Sequence, residues 1–208
     1  VLDEFHEFSA LPRMRPALRE ILQIRSWYSG DKTPQTLLIS GTPEPALIRN
    51  LCLQSAKLIN RDSLTPFKDR LVSLKIETGL SDGSLDERIE PDTLFTFLKV
   101  KDAQKQLSKA VELGRPGILV HSQFIDSDRS KILRTILSEF GADGPARFSV
   151  FSSKMLQSSF DLNFRSGQLE TSLPYTDSQT LGRINRFGNK DGANATFFIK
   201  ESPNSNFD

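Results

Sequence analysis

The chain has 208 residues, of which 37% are hydrophobic and 25% charged, and a formal net charge of +1. That is enough for one good core, or one domain plus part of another, and too balanced for a strongly basic nucleic-acid coat; any nucleic-acid contact has to come from local patches. Cys52 is the single cysteine, so no internal disulfide is possible, and with only two histidines beside it the composition argues against a zinc cluster.

No apolar run approaches the ~20 residues needed to cross a bilayer. The first residues, Val1 to His6, carry Asp3 and Glu4 where a signal peptide has a basic flank. The expectation is a cytoplasmic protein with no membrane partner. The chain lacks an initiator methionine and opens inside a strand-like pattern, so it is expected to start partway through a domain; the polar tail from Glu201 to Asp208 reads as a loop.

Leu11, Met14, Leu18, Ile21 and Leu22 follow helical spacing, with Pro12 and Pro16 near the start of the segment. Thr36 to Ser40 is a short apolar run of buried-strand type, and Pro45 opens a helix through Ile48, Leu51, Cys52 and Ser55. Leu71 to Ile76 predicts another strand, and the stretch from Gly79 through Ser84 to Glu90 reads as a linker. A second alternation follows. Thr93 to Leu98 predicts a strand, Asp102 to Leu113 a helix closed by Gly114, and Gly117 to His121 a strand. Asp126 or Ser127 is expected to cap a helix that ends at Gly141, with Ile132, Leu133, Ile136, Leu137 and Phe140 facing inward. Arg147 to Phe151 is a strand, the segment from Gln179 a helix, and Ala195 to Ile199 a last strand. Repeated strand–helix–strand units imply an α/β fold, a parallel sheet with helices on both faces, which binds ligands at the carboxyl ends of its strands.

Five stretches carry residues suited to chemistry. Gln179 to Arg186 reads Q-x-x-G-R-x-x-R; on a helix, Arg183 and Arg186 would share one face and form a fork for phosphate oxygens. The plainer alternative is a basic helix end paired with surface carboxylates. At the first strand end, Asp3 can hold a magnesium ion through water, Glu4 can orient or deprotonate an attacking water, and His6 can relay nucleotide state; solvated acids are the alternative. Ser40, Gly41 and Thr42 suit a hinge that bridges two lobes, or a plain turn. His121, Ser122 and Arg129 can contact a nucleic-acid backbone, with Phe124 packing the loop or a base; otherwise His121 satisfies a backbone group and Arg129 pairs with Asp126 or Asp128. Ser152, Ser153 and Lys154 can line a strand path, with Asp161 coupling nucleotide to it, or this is a polar loop over three phenylalanines.

In this order and spacing the stretches resemble the superfamily 2 helicases. Asp3 to His6 looks like the D-E-x-H box, Ser40 to Thr42 like the S-A-T motif, and Gln179 to Arg186 matches the last helicase motif at every fixed position. The segments Phe95 to Gln104, His121 to Phe124 with Asp128 and Arg129, Ser159 to Phe164, and Gly182 to Gly188 bring the resemblance closest to the CRISPR-associated interference helicases of type I systems. The resemblance implies RecA-like lobes, ATP and magnesium as cofactors, and single-stranded DNA, subunits of a crRNA-guided surveillance complex and a nuclease domain or subunit as partners. It implies that Asp3 binds magnesium and Glu4 is the catalytic base. Arg183 and Arg186 would be fingers on the γ-phosphate, Asp161 would lie near the nucleotide sugar, and Gln179 close to the attacking water.

The sequence also departs from the family pattern. It contains no G-x-x-x-x-G-K-[ST]; Gly30-Asp31-Lys32-Thr33 comes near, but Asp31 splits the Gly-Lys pair. Gln157 stands where these helicases commonly have glutamate, and Gly41 where alanine is usual. No HD-type nuclease pattern occurs. Residues 1–80 are expected to form the later half of a first RecA-like lobe, 81–90 a linker and 91–208 a second lobe, the phosphate loop lying upstream. The alternatives are a superfamily 2 helicase of another branch, acting on DNA or RNA, and a non-catalytic helicase-fold adaptor that docks a partner.

Overall fold

The computed structural model describes Pro16, Glu20, Gln23, residues 70–78, 82–153, Leu156, 160–172 and 174–200. The chain divides into two compact units, Val1–Leu64 and Thr65–Asp208. In the first, Pro16, Glu20 and Gln23 are helical and exposed. Their i, i+4, i+7 spacing makes them the outward stripe of the helix expected there. The expected strand at Thr36 to Ser40, the helix from Pro45, and the candidate residues Asp3, Glu4, His6, Ser40, Thr42 and Lys154 lie outside the described residues.

The second unit holds one six-stranded sheet. Its strands are β1 (Ser73–Thr78), β2 (Thr93–Phe97), β3 (Gly117–Val120), β4 (Ser149–Ser153), β5 (Ser166–Glu170) and β6 (Asn194–Ile199). They lie in the order β1-β6-β5-β2-β4-β3, and every pairing is parallel. The connecting helices are α1 (Val100–Glu112), α2 (Asp126–Phe140) and α3 (Pro174–Leu181), with a 3-10 helix at Asp82–Arg88. This is the α/β architecture expected, with a RecA-like arrangement of sheet and helices.

Strand alternation builds two cores, one on each face of the sheet. Leu94, Val150, Leu169 and Ala195 point to one face, where Ile136 and Phe140 of α2 and Phe164 and Ile184 of the loops cover them. Phe95, Phe97, Phe151 and Phe198 point to the other, beneath Ala103 and Ala110 of α1 and Leu85 and Ile89 of the 3-10 segment. Phe95 and Phe151, neighbours in register, stack at 4.8 Å. On the opposite face Phe140 lies 4.3 Å from Phe164 and 5.2 Å from Phe148. Fully burying each such ring is worth ~1.5–3 kcal/mol, so these aromatic pairs contribute to the cores on both faces of the sheet.

Several boundaries differ from the sequence reading. The strand assigned to the first lobe is β1, which pairs with β6 from Ser73↔Asn194 to Thr78↔Ile199 and so lies in the second unit's sheet. The 81–90 stretch is not a linker: Leu85 and Ile89, four apart, turn into the core. The strand β5 had no counterpart in the sequence reading. α2 begins at Asp126 with Ile125 as its N-cap and no side-chain cap, so neither Asp126 nor Ser127 caps it; Asp126 and Asp128 instead place negative charge in its first turn. Gly114, at φ +66°, closes α1 as expected, its N–H reaching Val111 O at 3.0 Å.

Candidate functional site

The Q-x-x-G-R-x-x-R segment is only partly helical. α3 ends at Leu181, so the helical face expected to carry both arginines does not exist. Gly182, Arg183 and Ile184 form a tightened turn, with Gly182 N bonded to Ser178 O at 2.9 Å, Arg183 N to Thr180 O at 2.9 Å and Ile184 N to Leu181 O at 3.0 Å. Glycine is needed at 182 because a Cβ there would meet Gln179 O at 2.9 Å. Ile184 then bridges to Phe164 as a short parallel pair, with Phe164 N on Arg183 O at 2.9 Å and Asn185 N on Phe164 O at 2.7 Å. Asn185 takes up φ +48°, a left-handed conformation that asparagine tolerates better than most residues. Its side chain donates to Leu71 O and accepts from Lys190 N, each at 2.9 Å.

This rigid loop sets the two arginines in different environments. Arg183 is buried, and its Nη1 donates to Phe160 O. Arg186 is half-exposed, and its Nη2 donates to Asp161 Oδ1 at 2.6 Å, a carboxylate whose side chain is 75% exposed. The pair is therefore not a symmetric fork. Arg183 ties the 160–164 segment to the loop, and Arg186 projects from it. A third guanidinium lies beside them: Arg70 donates to Leu181 O at 2.6 Å and to Ile184 O at 2.7 and 3.2 Å. Burial and the charge of Arg186 both lower the Arg70 pKa. Gln179 lies one turn earlier on α3, half-buried.

Because all strands are parallel, the loop's place in the sheet is unambiguous. Asn194 N donates to Arg165 O at 3.1 Å, and Arg165 and Ser166 both donate to Asp92 O, so Asp161, Arg183 and Arg186 lie at the amino edge. His121, Ser122, Ser152 and Ser153 sit at the carboxyl ends of β3 and β4, about 16 Å away for five-residue strands. The carboxyl ends, where a parallel sheet binds ligands, hold this second group and not the first.

Within the carboxyl-edge group, Ser122 is exposed and Ser153 half-buried. His121 is buried; its Nδ1 accepts from Gln123 N at 3.2 Å and its ring stacks on Phe124 at 4.2 Å. Arg129 pairs with Asp126. For these two, the plainer sequence alternative is the observed one: His121 shapes its own turn, and Arg129 closes an i,i+3 ion pair. Ser152 is buried beside Thr96 and Val120, and among the described residues its Oγ has no hydrogen-bond partner. Among the described residues, no group of three or more His, Cys, Asp or Glu could hold a metal ion. No helix among them is long and apolar enough to cross a membrane.

Sequence reasoning missed Arg70, Asp92 and Lys190. Asp92, at φ +64°, binds Arg165 N at 3.1 Å through Oδ1 and Lys190 Nζ at 2.8 Å through Oδ2, fixing the start of β2 to the end of the arginine loop. Its place directly after Pro91 was the available signal.

Residues 92–189 match the family model described as CRISPR-associated nuclease/helicase Cas3, C-terminal. The chain resembles a superfamily 2 helicase of the Cas3 kind. T. fusca Cas3 with AMPPNP is similar at 17% identity and a TM-score of 0.55, over 69% of this chain and 20% of that one. S. cerevisiae Dbp5 bound to RNA and ADP BeF3 is similar at 16% identity and a TM-score of 0.66, over 97% of this chain and 53% of that one. A CRISPR RNA-guided surveillance complex, pre-nicking, contains a chain similar at 16% identity and a TM-score of 0.52, over 64% of this chain and 20% of that one. At such identities these structures speak for the fold alone, a RecA-like one. No curated protein matches the chain. The chain spans about a fifth of the length of the Cas3 chains it matches.

Proposed function

We propose that this chain supplies the D-E-x-H to Q-x-x-G-R-x-x-R portion of an ATP-dependent DNA helicase of the Cas3 kind, acting in CRISPR interference. The observation that carries the reading is Arg186. Its guanidinium projects from a backbone held on three sides, and the described carboxylate it pairs with is exposed. Exposed ion pairs are worth ~0–1 kcal/mol, so a phosphate can replace Asp161 at little cost. Arg186 then acts as the finger on the γ-phosphate, Arg183 holds the 160–164 segment so that Asp161 lies near the nucleotide sugar, and Gln179 approaches the attacking water.

The Arg186 guanidinium fits a phosphate of ATP, which supplies the transferable phosphoryl group when bound. On this reading residues 1–64 belong to a first lobe and 65–208 to a second. Asp3 serves as the magnesium ligand, Glu4 as the catalytic base and His6 as the relay of nucleotide state, with Ser40 and Thr42 as the coupling residues. Ser122 and Ser153, at the carboxyl edge opposite the arginines, face single-stranded DNA, and Lys154 is proposed to serve the same strand. Subunits of a crRNA-guided surveillance complex and a nuclease domain or subunit are the expected partners. The similarity to Dbp5, which extends over nearly the whole chain, favours a superfamily 2 helicase of another branch as the second reading.

The test is ATP hydrolysis by the intact protein carrying these residues, with single-stranded DNA and single-stranded RNA as separate stimulants. Stimulation by DNA supports the proposal, and stimulation by RNA alone the second reading. A folded protein with no nucleotide affinity is a docking adaptor instead.

A further inference from the structure

We propose that Arg70 is a positioning residue for the arginine loop: its guanidinium caps α3 and fixes the backbone from which Arg186 projects. The proposal rests on reading Arg186 as a phosphate ligand and adds to it a residue that precedes the 92–189 family match.

A helix end leaves its last carbonyls without intrahelical partners. At the end of α3 the planar fork of Arg70 takes up two of the carbonyls there, donating through Nη2 to Leu181 O at 2.6 Å and to Ile184 O at 2.7 Å, and through Nε to Ile184 O at 3.2 Å. The tie also runs the other way, since Asn185 Nδ2 donates to Leu71 O at 2.9 Å. Gly188 lies against the same segment, a Cβ there falling 4.0 Å from the Arg70 Cα. Residues 70 and 71 are thus stitched to 181–185 across more than a hundred residues of sequence.

The charge matters as well as the shape. A cation at the negative end of α3 is favourable. A second cation nearby is not, and Arg186 is close enough to lower the Arg70 pKa. Burial lowers it first, and the charge of Arg186 second, while Arg186 itself pairs with Asp161. Displacing a catalytic group by ~1 Å costs about 100-fold in rate, so a clamp on the backbone two residues before Arg186 bears directly on turnover.

The experiment uses the intact protein with Arg70→Ala and Arg70→Lys. It measures amide hydrogen exchange at 183–187 together with kcat and KM for ATP. Arg70→Ala should raise exchange in the loop about tenfold while β2 and β4 are unchanged. It should lower kcat by roughly 10- to 100-fold with KM within about threefold, since misplacement acts on the transition state more than on binding. Arg70→Lys, which keeps the charge and loses the fork, should fall between, and it carries the test if the alanine variant does not fold. Wild-type exchange and kcat in folded Arg70→Ala, with Arg186→Ala inactive, overturns the clamp alone. A loosened loop in a protein that never hydrolyses ATP upholds the clamp and removes the nucleotide reading instead.

Discussion

Replacing Asn185 by alanine removes two hydrogen bonds and imposes a strained backbone. The side chain is buried, so Leu71 O loses its donor and Lys190 N its acceptor, both contacts of 2.9 Å. Each is worth ~1 kcal/mol net. Alanine at φ +48° adds ~1 kcal/mol of left-handed strain. The sum is about 3 kcal/mol, or a fall of ~6–12 °C in the melting temperature for a domain of this size. Asn185→Gly keeps the hydrogen-bond loss without the strain and should cost about 2 kcal/mol. Chemical denaturation of the two variants beside wild type reads both numbers. A stability within ~0.5 kcal/mol of wild type for Asn185→Ala, or a glycine variant worse than the alanine one, refutes the reasoning.

Glu139 is held below its ordinary value of 4.5, chiefly by the hydrogen bonds it accepts from the Arg147 side chain. A depressed carboxylate contributes stability that is present above its unfolded pKa and is lost as pH falls through the folded one. Wild type should therefore lose stability as pH drops below about 4.5, and Glu139→Gln should flatten that limb; unfolding curves between pH 3 and 7 decide it. The isolated 208 residues, whose sequence contains no G-x-x-x-x-G-K-[ST], should show no appreciable ATP hydrolysis. Robust DNA-stimulated turnover by them would contradict the reading of their missing phosphate loop.

The strands β2, β3, β4 and β6 were legible because each centres on a short apolar run, Leu94 and Phe95, Ile118 to Val120, Val150 and Phe151, and Phe197 to Ile199. β5 was not, because its sequence, Ser-Gly-Gln-Leu-Glu, is buried for reasons that only the fold supplies. Gly167 leaves room for Ile184, whose Cδ1 would lie 2.9 Å from a Cβ there. Gln168 accepts from Arg88 at 3.3 Å, and Glu170 accepts the Leu98 N–H at 2.8 Å. A polar strand becomes a central one when its partners arrive from distant sequence.

The arginine motif itself was plain in the sequence, and its conformation was misjudged although Gly182 stood there as a helix stop. Periodicity could not show that Arg183 faces inward to Phe160 while Arg186 faces out, because that division follows from the bridge to Phe164. Arg70 was illegible for a simpler reason. An isolated arginine before a strand carries no pattern, and its role exists only where two segments meet.

ATP hydrolysis by the intact protein with Arg186→Ala tests the central claim most directly. The account predicts a fall in kcat of ~10³-fold or more, with the fold intact and nucleotide still bound. Wild-type turnover in the folded variant would contradict it.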